Sequence, residues 1–299
     1  MKKFFILCLL ITLILAIASC NPNSNSTTGG DLVIGSKDFT EQDILGELLA
    51  QHIESTTKLK VDRRLHLGGS FVCHQAITAG QIDAYVEYTG TAFTAILKQK
   101  PISDPQAVYQ QVKKAYANQF GLEVAQPLGF ENTFAIIVRG ADARALNIQT
   151  LSQAAQYTPQ WQAGFGYEFL EREDGFLGLS KTYGLKFAKS PRVMDLGLIY
   201  RALIQKQIDL TAANSTDGQI ARLDLRVLKD DKHYFPPYEA APIVRQEALK
   251  QHPELREAIA QLAGIITEDE MRALNYQVEG ELRDIKEVVR EFLQAKNLS

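Results

Sequence analysis

The feature that most constrains the fold is a segment pattern that occurs twice in the chain. Residues 76–90 read AITAGQIDAYVEYTG and residues 202–216 read ALIQKQIDLTAANST. When residue 202 is placed on residue 76, the identical positions are Ala76 with Ala202, Gln81 with Gln207, Ile82 with Ile208 and Asp83 with Asp209. A match this short also arises by chance. As a structural signal it predicts two lobes of similar build, each with a polar turn after an equivalent strand.

The first copy contains a short strand that ends in small polar residues. Ile82, Ala84 and Val86 alternate with other side chains, and the strand breaks at residues 88–91, Tyr-Thr-Gly-Thr. An alternation with a period of two is typical of a strand. Ligands usually bind at strand ends in α/β sheets, so this turn is a candidate site.

Strands and helices alternate from residue 31 onward. DLVIG (31–35) and VDRRLHLGG (61–69) read as strands, and the segment between them reads as a helix that begins near Thr40 and Asp43. Its apolar face comprises Ile44, Leu45, Leu48, Leu49 and Ile53. This order predicts an α/β fold with a parallel sheet and covering helices. The same rhythm restarts at NTFAIIVRG (132–140).

The N-terminus has the pattern of an export signal. Lys2 and Lys3 precede an apolar run at residues 4–19, and the sequence IASC that ends at Cys20 resembles a bacterial lipobox. We therefore predict that residues 1–19 are a lipoprotein signal peptide and that residues 20–30 are a lipidated Cys20 with a flexible tether. The alternative is an ordinary signal peptide that happens to contain a cysteine.

Composition and motifs argue against nucleic-acid binding, a metal site and catalysis. The net charge is −3 and no basic stripe occurs, which disfavours nucleic acid as a partner. The sequence has no P-loop, zinc-protease, nucleophile-elbow or C-x-x-C motif, and its five histidines lack the spacing of metal ligands. We interpret Cys73 as a small buried residue on a helix rather than a nucleophile. These features favour a binding protein that needs no cofactor and is not an enzyme.

Six motifs, in one order, carry a resemblance to a known family. They are IGSKDFTEQ, GQIDAYVEYTGTA, NTFAIIVR, FLEREDGFLGLSKTYGL, NSTDG and HYFPPYEAAPIVR. On these motifs the chain resembles the quaternary-amine family of ABC-transporter substrate-binding proteins, which take up glycine betaine, choline, carnitine and proline betaine. The resemblance implies a type II periplasmic-binding-protein fold, with two α/β lobes joined by two crossing strands around a ligand cleft. We expect residues 31–130 plus 237–299 in lobe 1 and residues 131–236 in lobe 2.

The resemblance also implies a set of ligand-binding residues. The family holds a trimethylammonium group in a box of four tyrosines, whose positions fall here on Tyr88, Phe134, Asn214 and Tyr238. Its other site positions fall on Thr91, Asn132, Arg172, Lys37 and Gln42, with Lys37 and Gln42 as first-helix residues that face the cleft. A quaternary ammonium has no N–H to donate, so aromatic faces suit it. Arg172 suits a ligand carboxylate, on which it can form a charge-assisted fork.

Two of these positions depart from the family pattern. Phe134 keeps the ring and loses the hydroxyl, whereas Asn214 has no ring and leaves at most three rings in the box. We expect weaker binding of a betaine, or a ligand that makes a polar contact with Asn214. Each site residue also has a structural alternative: a strand-end ring for Tyr88, packing on Pro236 and Pro237 for Tyr238, a surface ion pair for Arg172, core packing for Phe134, turn formation for Asn214, and helix capping for Lys37 and Gln42.

The predicted function is that of an exported, lipid-anchored and monomeric receptor on the membrane, facing the periplasm or the cell exterior. It captures a betaine-like osmolyte, closes by a hinge near residues 131 and 236, and delivers the ligand to a permease powered by an ATPase. One alternative keeps the fold but binds an amino acid or another small zwitterion, which the loss of a ring at Asn214 favours. The other alternative is an enzyme on this scaffold, against which the missing nucleophile–base pair counts.

Overall fold

The computed structural model describes residues 30–298 of the 299-residue chain. The predicted signal peptide, the lipidated Cys20 and residues 21–29 of the tether lie outside the described residues. The strands are β1 Leu32–Lys37, β2 Val61–Gly68, β3 Ala84–Tyr88, β4 Leu122–Val124, β5 Phe134–Arg139, β6 Gly164–Phe165, β7 Arg192–Val193, β8 Leu210–Asn214, β9 Leu225–Leu228 and β10 Ala240–Arg245.

Helices connect these strands throughout the described range. They are α1 Thr40–Thr56, α2 Ser70–Thr78, α3 Thr89–Thr91, α4 Pro105–Phe120, α5 Gly140–Ala145, α6 Leu151–Ala154, α7 Tyr167–Glu171, α8 Phe176–Tyr183, α9 Leu196–Ile204, α10 Gln219–Arg222, α11 Gln246–Gln251, α12 Leu255–Ala260, α13 Glu268–Glu279 and α14 Ile285–Ala295. A π-helical segment, Ala92–Ile96, follows α3 directly. None of the helices within residues 30–298 combines the length and the apolar character that a membrane span requires.

The first sheet has five strands in the order β2–β1–β3–β10–β4. β1 runs parallel to β2 and β3, whereas β10 runs antiparallel to β3 and β4. The predicted parallel β–α–β arrangement is confirmed for β1, β2 and β3. The sheet as a whole is mixed, because the chain returns from its C-terminal side and inserts the antiparallel strand β10 between β3 and β4.

The second sheet is smaller and is built from the middle of the chain. β5 lies between β8 and β9 and is antiparallel to both. The short strands β6 and β7 form a parallel pair, and a bridge from Ala163 to Leu210 joins this pair to β8. The strand predicted at NTFAIIVRG is therefore confirmed as β5, at the centre of its sheet.

The two copies of the repeated segment have the same local structure. Two residues after the end of each helix, Gly80 has φ 72° and Lys206 has φ 59°, so both turns pass through the left-handed region. The next amide, of Gln81 or of Gln207, donates to the carbonyl oxygen of Ala76 or Ala202 at 2.9 Å in each case. Both copies then enter a strand that leads to a polar turn. The repeat is thus a structural repeat and not a chance match.

The helix α1 packs the apolar face predicted for it against the first sheet. Ile44, Leu45, Leu48, Leu49 and Ile53 are all fully buried in one cluster with residues of β1 and β3. α1 begins at Thr40, as predicted, but its cap residue is Phe39, whose side chain makes no capping hydrogen bond. Asp43, the other predicted start residue, accepts a hydrogen bond from Ser36 Oγ at 2.5 Å.

Cys73 lies buried within α2, as the sequence predicts. Burial raises the pKa of its thiol to about 12. A thiol with such a pKa remains protonated at neutral pH and is a poor nucleophile. The buried apolar interpretation of this residue is therefore confirmed.

The chain passes twice between the two sheets, and the two passing segments pair with each other. Glu131 and Glu239 form an antiparallel bridge. On either side of it, the amide of Asn132 donates to the carbonyl oxygen of Tyr238 at 3.0 Å, and the amide of Ala240 donates to that of Phe130 at 3.1 Å. The predicted lobe boundaries fall in or next to these segments, and the division into two lobes stays a prediction.

Candidate functional site

A cavity of about 540 Å³ is lined by residues from both sheets and from the helices that follow them. Its volume is within the usual range of small-molecule sites. The predicted site residues that line it are Lys37, Tyr88, Thr91, Asn132, Phe134, Arg172, Asn214 and Tyr238. Gln42 does not line it and is instead buried in α1, with 1% of its surface exposed. The structure thus brings together most of the residues that the resemblance selected.

Glu41 lines the cavity, and its carboxylate accepts four hydrogen bonds. Its Oε1 accepts from Tyr88 Oη at 2.5 Å and from Asn132 Nδ2 at 2.7 Å. Its Oε2 accepts from Asn275 Nδ2 at 2.9 Å and from the hydroxyl of Thr216. The four donors come from four separate stretches of the chain, and together they hold this carboxylate in one orientation beside the ring of Tyr88.

Lys37 forms a buried ion pair next to the same ring. Its Nζ lies 2.6 Å from Glu87 Oε1, with side-chain exposures of 3% and 0%. The same nitrogen lies 4.1 Å from the centroid of the Tyr88 ring, which is within cation–π range. Lys37 is the last residue of β1, so its predicted place on the first helix is wrong. The register between β1 and β2 shifts between Gly35 and Lys37, and β1 continues past this shift to Lys37.

Arg172 forms a second buried ion pair, with Asp174. Its Nε and Nη2 lie 2.8 and 2.5 Å from the two carboxylate oxygens of Asp174, and Nη1 donates to Thr91 Oγ1 at 3.1 Å. The predicted fork of Arg172 on a ligand carboxylate is therefore wrong for these two nitrogens, because Asp174 already holds them. The surface ion-pair alternative is also wrong, since Arg172 is only 3% exposed. Nη1 is the nitrogen that remains outside the fork.

The Asp174 carboxylate links Arg172 to the hydroxyl of Tyr238. Tyr238 Oη donates to Asp174 Oδ2 at 2.6 Å, and the Thr94 hydroxyl donates to the same oxygen. Burial alone would raise the pKa of Asp174, but the charge and hydrogen bonds of Arg172 outweigh burial and hold that pKa below its usual value. Asp174 therefore stays ionised and fixes both Arg172 and Tyr238 in place.

The aromatic residues of the predicted box lie close to one another and to Arg172. The rings of Phe134 and Tyr238 are 5.9 Å apart between centroids, and Phe169 lies 4.7 Å from Phe134. The guanidinium carbon of Arg172 lies 4.8 Å from the centroid of Phe134. The four box positions supply three rings, those of Tyr88, Phe134 and Tyr238, and further aromatic residues line the cavity: Phe39, Tyr167, Phe169 and Tyr200.

Asn214 lies at the end of β8 and opposes Phe134 in the ladder with β5. Its carbonyl oxygen accepts from the amide of Asp217 at 3.1 Å, which closes the turn at 214–217. Asn214 also lines the cavity. The two interpretations from the sequence, turn formation and a place in the site, are therefore compatible.

Another side of the cavity is polar and acidic. It comprises Asp217 in the turn after β8, together with Asn275 and Glu279 on α13. Asp217 accepts hydrogen bonds from the Tyr200 hydroxyl and from the amide of Gln219. Burial and the neighbouring charge of Asp217 raise the pKa of Glu279 to about 7.

Comparison with known proteins identifies the family. Residues 30–295 match the substrate-binding domain of ABC-type glycine betaine transport systems. The chain belongs to this family. The carnitine transport binding protein OpuCC of Listeria monocytogenes is 38% identical to this binding protein, over 99% of this chain and 98% of the relative. The ergothioneine transport permease/ergothioneine binding protein EgtU of Helicobacter pylori is 36% identical, over 98% of this chain and 52% of the relative.

Solved structures support the same family and fold. The crystal structure of a glycine betaine/carnitine/choline ABC transporter protein has a TM-score of 0.73 and 34% identity, and the match covers 89% of this chain and 99% of the other. Apo YehZ from Escherichia coli has a TM-score of 0.63 and 27% identity, over 90% and 99% of the two chains. The predicted family and the type II periplasmic-binding-protein fold are confirmed. This binding protein is therefore the extracytoplasmic substrate-binding part of an ABC transport system.

Several residues that shape this site are not among those predicted from the sequence. Glu41 stands next to the predicted Gln42, and Asp174 stands two residues after the predicted Arg172, so both were visible in the motifs. Asn275 and Glu279 are four residues apart on α13, a spacing that places two side chains on one helical face. That spacing was the available signal, but nothing near them in the sequence indicates which part of the fold their face meets.

Proposed function

We propose that this binding protein captures a quaternary-ammonium zwitterion in the 540 Å³ cavity and delivers it to an ABC permease and its ATPase. The proposal rests on one observation, which is that aromatic rings and buried cations line the same cavity. Tyr88, Phe134 and Tyr238 supply the ring faces, and Arg172 and Lys37 supply the cations. The relative from Listeria, which is named for carnitine transport, is consistent with such a ligand.

The ammonium end of the ligand is expected to lie against the rings. A trimethylammonium group cannot donate a hydrogen bond, so it is recognised by ring faces and by nearby negative charge. Glu41 provides that charge beside Tyr88, to which it is joined by the 2.5 Å hydrogen bond. Because four donors already satisfy Glu41, it can attract a cation without needing a hydrogen bond from it.

The carboxylate end is expected to lie near Arg172. With Asp174 on Nε and Nη2, the remaining nitrogen is Nη1, which lies 3.1 Å from Thr91 Oγ1 and 3.6 Å from Glu168 Oε1. The ligand carboxylate would therefore receive one charge-assisted hydrogen bond from Arg172 and a second from the Thr91 hydroxyl, instead of a fork. This arrangement is weaker than a fork on a free arginine, but Asp174 keeps the guanidinium in position before the ligand arrives.

Calorimetry on soluble protein from residue 29 onward, unfolded and refolded to remove carried-over ligand, tests this proposal. We expect saturable binding of glycine betaine, carnitine or proline betaine, and weaker binding of choline, which lacks the carboxylate. Phe134→Leu should weaken betaine binding about 5- to 30-fold, since it removes one ring face. Phe120→Leu is the matched control, because Phe120 packs on His74 and Tyr116 away from the cavity. No binding of any quaternary amine would contradict the proposal.

A second candidate ligand is a zwitterion without a quaternary ammonium, such as an amino acid. The observation that favours it is Asn214, which presents an amide to the cavity where the family has a ring. The same titration, extended to a panel of amino acids, separates the candidates. Heat from an amino acid, with none from the betaines, would select this second candidate.

We also propose that the protein is exported, is anchored through a lipid on Cys20 and acts as a monomer that does not change its ligand chemically. The export signal and the IASC sequence support the anchor. In cells, Cys20→Ser should move the protein from the membrane fraction to the soluble fraction. Sedimentation of the soluble form should give one chain per particle. Mass spectrometry of ligand recovered after long incubation should show an unaltered compound, whereas a new product would favour the enzyme alternative.

A further inference from the structure

The N-terminus of α2 is capped by residues from a distant part of the chain. The first amides of a helix have no partner within it, and the cap residue here, Gly69, has no side chain to supply one. The amide of Gly69 donates to Tyr167 Oη at 3.1 Å, and the amide of Ser70 donates to Glu168 Oε1 at 3.3 Å. Tyr167 and Glu168 are the first two residues of α7 and lie 98 positions further along the chain. The two helices thus meet through hydrogen bonds that only the tertiary structure provides.

This contact lies at the opening of the cavity. Ser70, Tyr167 and Glu168 line the cavity, and so does His66 near the end of β2. Tyr167 is 44% exposed, whereas Ser70 is 1% exposed. The ring of Tyr167 therefore has one side towards the cavity and another in solvent. Because α2 follows β2 and α7 follows β6, the contact joins a helix of the first sheet to a helix that follows the smaller strand pair.

Gly69 leaves the space that α7 occupies. A Cβ on Gly69 would lie 2.5 Å from Tyr167 Oη and 2.6 Å from Glu168 Oε2, closer than Cβ atoms approach other atoms in proteins. The backbone itself does not require glycine here, because φ −70° and ψ −175° are open to any residue. The nearest atoms that such a Cβ would meet all belong to Tyr167 and Glu168. A side chain at position 69 would therefore obstruct the meeting of the two helices and nothing else nearby.

We propose that Tyr167 and Glu168 form a latch with the amides of Gly69 and Ser70, and that the opening of this latch sets the rate at which bound ligand leaves the cavity. The inference rests on the proposed function in that a ligand is held in this cavity, but it does not require the ligand to be a betaine. Tyr167 and Glu168 act here as positioning residues, because they close the cavity through the backbone of α2.

Tyr167 is the better of the two positions at which to test the latch. Glu168 Oε1 also lies 3.6 Å from Arg172 Nη1, so a change at Glu168 would disturb the ion pairs of Arg172 as well. Within residues 30–298, the one hydrogen bond of Tyr167 Oη is the bond from the Gly69 amide. Removing this hydroxyl therefore weakens the latch and leaves the other contacts of the cavity in place.

Stopped-flow kinetics with glycine betaine, followed by the intrinsic fluorescence of the refolded soluble protein, measure the effect of the latch. Tyr167→Phe keeps the ring and removes the acceptor of the Gly69 amide. We expect dissociation to become about fivefold faster and association to stay within about twofold, because the lost hydrogen bond forms after the ligand has entered. Tyr276→Phe is the matched control, since Tyr276 is 38% exposed on α13 and does not line the cavity. Its rates should equal those of the unaltered protein.

Gly69→Ala tests the same contact by obstruction. Dissociation should become about tenfold faster or more, because the new methyl group keeps α7 away from α2. The melting temperature without ligand should stay within about 2 °C, because alanine fits the backbone at this position. When Tyr167→Phe is added, the hydroxyl that the methyl group meets is gone. The combined effect on dissociation should therefore be smaller than the product of the two single effects.

Unchanged dissociation of glycine betaine from both single variants would overturn the latch and leave the proposed function standing. Single effects that multiply in the double variant would also overturn it. So would a large fall in the melting temperature of ligand-free Gly69→Ala, since the contact would then hold the fold together. If glycine betaine does not bind but an amino acid of the calorimetric panel does, the rates are measured with that amino acid. Faster dissociation from both variants would then support the latch although the betaine proposal had failed, and binding of none of these compounds would overturn both.

Discussion

The two copies of the repeated segment differ in their surroundings but share one hydrogen-bonded frame. In the first copy, the backbone amide of Asp83 donates to the carbonyl oxygen of Val33 at 2.7 Å, and Asp83 Oδ2 accepts from the Val33 amide at 2.9 Å. In the second copy, Asp209 makes the same two bonds to Gln162, at 2.7 and 2.9 Å. Each aspartate thus clamps the start of its strand to the neighbouring parallel strand.

Each aspartate also pairs with an arginine from the end of the antiparallel neighbour. Asp83 Oδ1 lies 2.9 Å from Arg245 at the end of β10, and Asp209 Oδ1 lies 2.5 Å from Arg139 at the end of β5. The strands that follow end differently: β3 is buried along its whole length and ends in Tyr88, whereas β8 ends in the half-buried Asn214. The hydrogen bonds of Asp83 and Asp209 therefore set where the two turns lie, while the residue at each strand end sets the chemistry offered to the ligand.

Removing the aspartate from either copy should cause the largest loss of stability. Asp209→Ala should lower the free energy of unfolding by about 3 kcal/mol, because it leaves a buried arginine with its charge partly uncompensated. Asp83→Ala should cost less, about 1–2 kcal/mol, because the Arg245 side chain is 29% exposed and that of Arg139 is 11% exposed. Urea unfolding measures both. Equal losses would contradict the difference in burial, and no loss would contradict the shared frame.

A pair of glycines beside the repeat offers a smaller perturbation in both copies. A Cβ on Gly35 would lie 2.7 Å from Ile82 Cδ1, and a Cβ on Gly164 would lie 2.9 Å from Ile208 Cγ2. Each Gly→Ala change should therefore destabilise the protein by about 1–3 kcal/mol through overpacking. Adding Ile82→Val to Gly35→Ala removes the clashing Cδ1 and should restore part of the loss, as urea unfolding of the single and double variants would show. Additive losses would mean that the two residues do not meet as described.

Asn214→Tyr gives the second strand end a ring, as Tyr88 gives the first, and should change the affinity for betaine. A ring at this position should tighten betaine binding by about 1 kcal/mol, or about fivefold, if it adds a face for the quaternary ammonium. Asn214→Leu is the control, because it adds apolar bulk without the charge distribution of an aromatic ring. Calorimetry with glycine betaine distinguishes the two. An unchanged affinity for Asn214→Tyr, or an equal gain for both variants, would contradict the aromatic-box interpretation.

The smallest expected effect concerns the pair of glutamates at the crossing between the two sheets. Burial raises the pKa of Glu131, with a further contribution from the charge of Glu239, and burial raises that of Glu239. A carboxyl group whose pKa is raised by folding is bound more tightly to its proton in the folded state. Stability is therefore lost as the pH rises from the usual range of glutamate through the folded-state pKa, and it is regained on acidification.

Glu131→Gln should remove this penalty and stabilise the protein by about 0.5 kcal/mol at pH 7, the scale expected for like charges directly opposite on paired strands. The gain should fade as the pH falls through the usual range of glutamate and vanish at about pH 3, where glutamates are protonated in both states. Thermal unfolding at a series of pH values measures it. Glu254→Gln, at an exposed position, serves as the control and should show no such gain. A gain for Glu131→Gln that does not depend on pH would contradict an electrostatic cause.

Periodicity and motif order predicted the frame of the fold well. The buried face of α1 and the strands β1, β2, β3 and β5 follow from local patterns, which the sheet then completes. The resemblance placed Tyr88, Phe134 and Arg172 around one cavity, because the motifs occur in the family's order. Patterns of this kind work where neighbouring residues decide the structure.

The environment of the site residues could not be predicted from local patterns. Arg172 was expected to be open to a ligand, but whether Asp174 would be buried against it depends on the packing of Tyr238 and Thr94 from other segments. Lys37 was assigned to the wrong element, because an irregular pairing of β1 carries the strand further than the sequence pattern suggests. The surroundings of both residues depend on segments that are remote from them in sequence.

The four hydrogen bonds to Glu41 bear on how the chain reaches its native state. Their donors lie 47, 91, 175 and 234 residues from Glu41 along the chain. Contacts between such remote segments carry a large loop-closure cost and form late unless other structure has already brought the ends together. This carboxylate therefore obtains its full set of donors only after nearly the whole chain has been made and folded. A chain that ends before Asn275 lacks one of these donors, so the carboxylate beside Tyr88 would be less firmly held in it.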